Sequence, residues 1–291
     1  MSGNPLVAEL SALLQDHACQ AAAAILCARH DLDRDPPSTP WTSLFSPPAG
    51  GRLMELGAGF GDDSLLLATK ASEVIAAVPD QGGAELLAKR LAQAPAAKVR
   101  VAVLEDLARL PLEDDSLSGI GFAHAAESGF IFSRRNLPRI AREFARVLAP
   151  GGALLIGLPT PMGSLVRRGL AGLGGRPGRM TFERAIKRRP QGLRINRPTP
   201  RRAMAELIAA GFEVQVFCAP LPNEEQPAYL LPLDDPGAAG YFLSSLVRRD
   251  LALTHSLAWL VRQRRVLERI EHLVPYCYLA LRAGPRPGGQ T

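Results

Sequence analysis

The sequence predicts an α/β domain in which a mostly parallel sheet is covered by helices on both faces. Short apolar runs alternate with helical segments between residues 52 and 158, a pattern typical of successive βαβ units. A glycine-rich turn follows the first apolar run, and a Pro-Gly-Gly turn precedes the fifth. Parallel strands need crossover connections, so helices are expected on both sides of the sheet.

The individual elements follow from local patterns. In the first half we predict strands at 53–56, 73–78, 98–104, 117–123 and 153–158, and helices at 64–70, 84–94 and 136–148. The second half is less regular, and here we predict a helix at 200–210, a strand at 212–219, a helical stretch at 240–273 and a last strand at 276–282. The domain prediction is an N-terminal helical element and linker at 1–50, a main domain at 51–283 and a disordered tail at 284–291.

Composition restricts the class of protein. The 291 residues suffice for one large domain with insertions. Four cysteines are scattered without a Cys-x-x-Cys pair, which argues against a zinc site and favours a reducing compartment. The N-terminal region lacks a basic start typical of a signal peptide, and no apolar run is long enough to span a bilayer. We therefore expect a cytoplasmic protein without an integral membrane segment.

Residues 52–63 carry the most informative motif, Arg-Leu-Met-Glu-Leu-Gly-Ala-Gly-Phe-Gly-Asp-Asp. Three glycines let the backbone turn sharply and approach a ligand closely, and they stand at Gly57, Gly59 and Gly61, with Ala58 between the first two. This Gly-x-Gly-x-Gly spacing after an acid differs from the Gly-x-Gly-x-x-Gly that binds a dinucleotide pyrophosphate. Glu55 at the strand end is suited to an ammonium group. The motif therefore favours a nucleoside that carries an amino acid.

This motif resembles motif I of the class I S-adenosylmethionine-dependent methyltransferases, and three further segments extend the resemblance over residues 45–160. Residues 104–111, Leu-Glu-Asp-Leu-Ala-Arg-Leu-Pro, are similar to the segment after the family's third strand. Asp-Ser-Leu at 115–117 resembles the entry to the fourth strand, and Arg-Val-Leu-Ala-Pro-Gly-Gly at 146–152 resembles the turn before the fifth. The resemblance implies a Rossmann-like fold with a mostly parallel seven-stranded sheet and two lid insertions.

The resemblance also implies S-adenosyl-L-methionine as the cofactor and assigns residues to it. The glycine loop and Glu55 would hold the methionine end, since the following helix N-terminus suits a carboxylate. Asp106, with Leu107 beside it, would contact the adenine amino group. At the end of strand two the family places an acid that binds the ribose, but here Pro79 occupies that position. Asp80 follows one residue late, and Gln81 is the alternative ribose ligand.

Two candidate catalytic residues, His124 and Glu127, follow the fourth strand. A histidine at the carboxyl end of the sheet is placed to deprotonate a hydroxyl during methyl transfer, although a packing role is the simpler interpretation. The Asn-Pro-Pro-aromatic motif of many amino-methylating enzymes is missing here. Ser118 replaces the Asp that the family carries in this strand, and we expect this change to make the cofactor pocket non-standard.

Two insertions complete the prediction. Residues 160–200 are rich in Arg, Gly and Pro, and between positions 167 and 202 there are twelve basic residues against one acid. This segment is interpreted as a lid or as a solvated loop. Functional alternatives are a clamp for carboxylate or phosphate groups, contact with an anionic membrane surface and nucleic-acid binding. Residues 221–274 contain a very apolar helical cap, a roof for a hydrophobic acceptor or a homodimer interface.

The predicted function is methyl transfer to a small, partly apolar acceptor, with oxygen favoured over carbon or nitrogen. A secondary metabolite, a quinone-like or a lipid-like molecule with an anionic group fits the two insertions, and nucleic acid is not expected because aromatic stacking residues are few. A repurposed enzyme of the same fold and a non-catalytic accessory protein are the alternatives.

Overall fold

The computed structural model of the protein describes residues 41, 44–59, 61–92, 98–123, 125, 130, 132–160, 198–220, 230–239 and 276–285. These residues form an eight-stranded sheet whose strands are β1 Arg52–Leu56, β2 Glu73–Val78, β3 Val99–Val103, β4 Leu117–Phe122, β5 Leu148–Pro159, β6 Phe212–Pro220, β7 Leu230–Pro232 and β8 Tyr276–Ala283. The helices that accompany them are α1 Asp62–Ala68, α2 Gln81–Leu91, α3 Leu137–Val147 and α4 Pro200–Ala209.

The strand order is β3-β2-β1-β4-β5-β8-β6-β7. Strands β1 to β5 pair in parallel, whereas β8 is antiparallel to β5 and to β6, and β7 is antiparallel to β6. The predicted mostly parallel α/β fold is confirmed. The sheet has one strand more than the predicted seven, because a three-residue edge strand, β7, forms inside the segment predicted as a helical cap.

Helix α3 shows why these residues form a helix on this face of the sheet. Its apolar side chains recur at helical spacing, and the buried ones are Leu137, Ile140, Ala141, Phe144 and Val147. Burying each large side chain stabilises the fold by about 1.5–3 kcal/mol. Together with α4, this stripe packs on one face of the sheet, where it joins Met54 and Leu56 of β1.

The opposite face is covered by α1, by α2 and by residues that precede the first strand. Trp41 and Phe45 are buried there in one cluster with Leu53. Their rings occupy space above β4 that side chains would otherwise fill: a Cβ built on Gly119 would lie 2.7 Å from Phe45 Cζ, and one on Gly121 would lie 3.1 Å from Trp41 Cζ3.

The described part of the predicted linker therefore contributes to the core of the sheet. Residues 41 and 44 are helical, which differs from the loop expected between 31 and 51. The predicted helix at 5–30, most of the lid at 160–200, the helical stretch at 240–273 and most of the tail lie outside the described residues.

Candidate functional site

The glycine loop connects β1 to α1 at the carboxyl end of β1. On one side β1 pairs with β2 and on the other with β4, so the strand order reverses at this position. The crevice outside such a reversal is where open α/β sheets bind their ligands. The loops that follow β1, β2 and β3 reach the same edge of the sheet, and they bring the predicted cofactor residues together there.

All three glycines of the loop have left-handed backbone conformations. The φ angles are 78° at Gly57, 56° at Gly59 and 83° at Gly61. Any other residue would cost roughly 1–2 kcal/mol at such an angle. The amides of Gly57 and Ala58 donate to the carbonyl of Ala77 in β2, at 2.9 and 3.3 Å. The loop is thus fixed to the neighbouring strand by backbone hydrogen bonds.

Gly61 has a second function in helix packing. Gly61 is the N-cap residue of α1, and its carbonyl accepts a hydrogen bond from the amide of Leu65 at 2.8 Å. A Cβ at this position would lie only 2.6 Å from Leu87 Cδ1 of α2. The absence of a side chain therefore lets α2 pack directly against the loop.

Glu55 lies beneath the loop and is almost completely buried, with 5% of its surface exposed. Alternation along β1 places it on the face that α1 covers, and the hydroxyl of Ser64 in α1 donates a hydrogen bond to its carboxylate. In the same turn of α1, Asp63 accepts a hydrogen bond from Trp41 Nε1 at 3.1 Å. Two carboxylates therefore connect the start of α1 to β1 and to the N-terminal segment.

Asp80 stands at the start of α2, where its Oδ1 accepts a hydrogen bond from the amide of Gly83 at 2.8 Å. This is the geometry of a helix N-cap, which gives Asp80 a structural function independent of any ligand. The bond occupies one carboxylate oxygen, so the other can still accept from a ribose hydroxyl. The alternative ribose ligand, Gln81, is exposed and donates through Nε2 to Glu85 at 3.4 Å.

Asp106 is exposed in the β3–β4 loop, which we define as residues 104–116. Its Oδ1 accepts a hydrogen bond from the amide of Ala108 at 2.8 Å, and this bond orients the carboxylate. Leu107 has only 2% of its surface exposed and belongs to the core. A ligand at this loop would thus meet the side chain of Asp106 but only the backbone of Leu107.

A pair of charged residues in α3, Glu143 and Arg146, holds the β3–β4 loop. Arg146 donates to both carboxylate oxygens of Glu143, at 2.7 and 2.9 Å, and to the carbonyls of Leu110 and Leu112, at 3.2 and 2.8 Å. It also donates to Asp114 at 2.7 Å, while Glu143 accepts from the amide of Leu110 at 2.6 Å. We call Glu143 and Arg146 the loop clamp.

The two residues of the loop clamp shift each other's pKa. Hydrogen bonds from Arg146 are the main cause that lowers the pKa of Glu143 below its ordinary value, against the opposing effect of burial. Glu143 and Asp114 in turn raise the pKa of Arg146. The sequence shows Arg146 within a recognisable motif, but contacts across more than thirty positions are not visible in local patterns.

The position of Ser118 contradicts the expectation that this residue lies in the cofactor pocket. It is the second residue of β4 and lies at the amino end of the sheet, where its Oγ would be 1.8 Å from a Cβ built on Gly51. The glycine loop lies at the opposite, carboxyl end. The prediction that Ser118 alters the cofactor pocket was therefore wrong, since Ser118 instead fits against a glycine that leaves room for it.

The two candidate catalytic residues, His124 and Glu127, lie outside the described residues. Within the described ranges, no group of three or more His, Cys, Asp or Glu side chains is arranged to hold a metal ion. In the same part of the chain, no helix combines the length and the apolar character needed to cross a membrane.

The strand order and the left-handed glycine loop agree with the Rossmann-like fold that the resemblance to class I methyltransferases implies. Residues 53–152 match the protein family described as "Methyltransferase domain". The predicted resemblance to methyltransferases is thus confirmed over this segment.

The comparison with individual proteins gives one curated relative and two solved structures of note. A demethylmenaquinone methyltransferase of Clavibacter sepedonicus is 34% identical over 129 residues, which cover 44% of this chain and 49% of that protein. The chain therefore spans about half the length of the curated relative that it matches. An S-adenosylmethionine-dependent methyltransferase of Mesorhizobium loti is 16% identical, with 84% and 98% of the two chains covered and a TM-score of 0.49. The [4+2]-cyclase SpnF is 19% identical, with 87% and 86% covered and a TM-score of 0.47.

Proposed function

We propose that the protein is an S-adenosylmethionine-dependent methyltransferase acting on a small, partly apolar acceptor. The observation that carries this proposal is the glycine loop, whose three left-handed residues lie at the strand-order reversal beside β2 and β4. A loop so placed exposes backbone to a ligand in the crevice. The match of residues 53–152 to a methyltransferase domain supports the same chemistry.

The cofactor is proposed to extend along the carboxyl edge of β1, β2 and β3. Its methionine end would lie on the glycine loop above Glu55, whose buried carboxylate suits an ammonium group. The ribose would lie at Asp80 or Gln81, and the adenine amino group would donate to Asp106. These three positions follow successive strands in the order that a nucleoside with an amino acid requires.

The chemical step would break the sulfonium–methyl bond and form a bond between the methyl carbon and the acceptor. In-line placement of the acceptor is the main requirement, because the sulfonium is already a good leaving group. For a hydroxyl acceptor a base must take the proton, and His124 is the proposed base with Glu127 as the alternative. The products would be the methylated acceptor and S-adenosylhomocysteine.

The acceptor is proposed to be quinone-like, lipid-like or another secondary metabolite, methylated on oxygen in preference to carbon or nitrogen. The name of the Clavibacter relative, a demethylmenaquinone methyltransferase, supports a quinone-like molecule. The proposed lids at 160–200 and 221–274 would enclose this acceptor and exclude water from it. We further propose a cytoplasmic enzyme that does not act on nucleic acid and that pairs as a homodimer.

Binding calorimetry with S-adenosylhomocysteine tests the proposal, and a matched pair of glycine variants makes the test specific. Gly59→Ala and Gly151→Ala both place a side chain at a positive φ, 56° and 75°, but Gly151 lies in the irregular first part of β5 with nothing within 4 Å of its Cβ position. Both variants carry the same strain of about 1–2 kcal/mol. We expect Gly59→Ala to lose about tenfold in affinity, which is about 1.4 kcal/mol, because its methyl group would lie where the ligand approaches the loop, and Gly151→Ala to bind like the wild type.

Two results would contradict the proposal. Wild-type protein that does not bind S-adenosylmethionine or S-adenosylhomocysteine cannot be such an enzyme. Equal binding by Gly59→Ala and the wild type would show that the ligand lies elsewhere. Tight binding without methyl transfer to any component of a cell extract would favour the alternatives, a repurposed enzyme or an accessory protein. The observation that favours these alternatives is that Asp80 caps a helix, which gives this residue a structural function without a ligand.

A further inference from the structure

The β3–β4 loop is attached to the rest of the domain on both sides of Asp106. Before Asp106, the amide of Leu104 donates to the carbonyl of Val78 at the end of β2, at 2.9 Å. After it, the loop clamp binds the backbone of the loop through the contacts described above. Beyond these, the amide of Asp115 donates to the carbonyl of Arg146 at 3.0 Å. Asp106 thus lies on a short span between two fixed ends.

The position of the Asp106 carboxylate depends on these attachments. The side chain itself is exposed and is oriented within the loop, by the amide of Ala108. Leu107 and Leu110 are buried in the core and hold the loop against the sheet. Apolar contacts are non-directional, so they do not fix the position of the loop along the edge of the sheet. After Asp106 in the chain, the directional bonds to the rest of the domain come from α3, the helix that follows β4.

Arg146 is suited to this function by its shape. Its planar guanidinium presents donors in a fixed fork, which here serves a carboxylate and two backbone carbonyls at once. A lysine carries the same charge but cannot reproduce the fork. Glu143 completes the arrangement, since its Oε1 accepts from both Arg146 and the amide of Leu110.

From these contacts we infer that Glu143 and Arg146 are positioning residues for adenine recognition, because they hold the loop in the position that presents Asp106 to the adenine amino group. This inference rests on the proposed function. The loop clamp is not among the residues proposed to contact the cofactor. It acts through the backbone of Leu110, four residues from Asp106.

The test compares two ligands that differ only at the position Asp106 would read. Calorimetry on the full chain measures the affinity for S-adenosylhomocysteine and for its 6-deamino analogue, in which an unsubstituted purine replaces adenine and a hydrogen replaces the 6-amino group. Wild-type protein should prefer the first by roughly tenfold or more, since it alone donates to a carboxylate. Arg146→Lys and Glu143→Gln should each bring this ratio close to one. In an Asp106→Asn background, Arg146→Lys should leave the ratio unchanged, because coupled residues are non-additive.

Arg142→Lys is the matched control. Arg142 lies one turn earlier in the same helix and its Nε donates to the carbonyl of Pro138 in that helix, so its ratio should equal that of the wild type. A variant that is merely less stable lowers both affinities and keeps their ratio. If Arg146→Lys does not fold, Glu143→Gln carries the measurement, because a glutamine has the shape of Glu143 but presents an NH2 group where Oε2 accepts from Arg146.

The outcomes separate the inference from the proposed function. Wild-type protein that binds S-adenosylhomocysteine without preferring it over the 6-deamino analogue overturns the inference and the adenine contact of Asp106, but not the proposed methyl transfer. Clamp variants that retain the wild-type preference overturn it as well. A wild-type protein that binds neither ligand overturns both the inference and the proposed function.

Discussion

Replacing Gly61 with alanine should destabilise the domain through two separate effects. The first is backbone strain, since Gly61 has a φ of 83°, and a left-handed conformation costs a residue with a Cβ about 1–2 kcal/mol. The second is overlap, because the new Cβ would lie 2.6 Å from Leu87 Cδ1, about 1 Å inside the optimal carbon separation of about 3.5–4.0 Å.

The overlap cannot be relieved cheaply. Leu87 is fully buried in a cluster with Ala58, Ala76, Val78 and Ala84, so its side chain has little room to rotate. Overpacking of this kind costs typically about 1–3 kcal/mol. Together with the strain, Gly61→Ala should therefore lower the free energy of unfolding by about 2–5 kcal/mol.

Urea denaturation followed by circular dichroism measures this loss, with Gly151→Ala as the control for strain alone. Gly151 has a φ of 75° and an open Cβ position, so its replacement should cost only about 1–2 kcal/mol. Adding Leu87→Ala to Gly61→Ala should cost less than the sum of the single changes, because the new methyl group partly fills the space that Leu87 vacates. Equal losses for Gly61→Ala and Gly151→Ala would refute the packing explanation.

Two further predictions concern stability. Glu143→Gln should lower the free energy of unfolding near neutral pH but not in acid. The pKa of Glu143 in the folded protein lies below its ordinary value of 4.5, so the unfolded chain binds the proton first as the pH falls. The stability advantage of the wild type is therefore complete above pH 4.5 and disappears as the pH falls through the lower folded-state pKa. Urea titrations of both proteins between about pH 7 and about pH 3 measure it, and a difference that does not change with pH would contradict the assignment. Trp41→Ala should lower the free energy of unfolding by about 3–5 kcal/mol, since Trp41 is 1% exposed and packs on Gly121. Thermal unfolding checks this, with Trp41→Phe expected to lose less, and an unchanged melting temperature would show that the core does not need this ring.

Local patterns predict the elements of this fold well where the local signal is strong. The run from Glu73 to Val78 is continuously apolar after its first residue and is followed by Pro79, so both ends of β2 are predicted at their observed positions. The glycine loop is equally local, because positive φ angles at three alternate positions leave glycine as the residue of choice. These features depend on neighbours in the chain.

Features that depend on distant contacts could not be predicted. Nothing near Trp41 indicates that its ring will lie over Gly121, eighty positions later. The Asp80 cap and the loop clamp are likewise tertiary or helix-end geometry, and a sequence shows only that residues capable of such bonds are present. Ser118 is a different case, because its position as the second residue of the predicted strand 117–123 already indicates the amino end, away from the edge where ligands bind.

The position of β8 has a consequence for how the chain folds during synthesis. β8 lies between β5 and β6, although it is made after both. Until residues 276–283 are available, the parallel half of the sheet ends in an unpaired edge along β5, which contains the apolar run Leu154, Leu155 and Ile156. Unpaired apolar edges invite pairing with other chains. The protein is therefore most vulnerable to aggregation late in translation, and a chain that stops before β8 should depend on chaperones to remain dispersed.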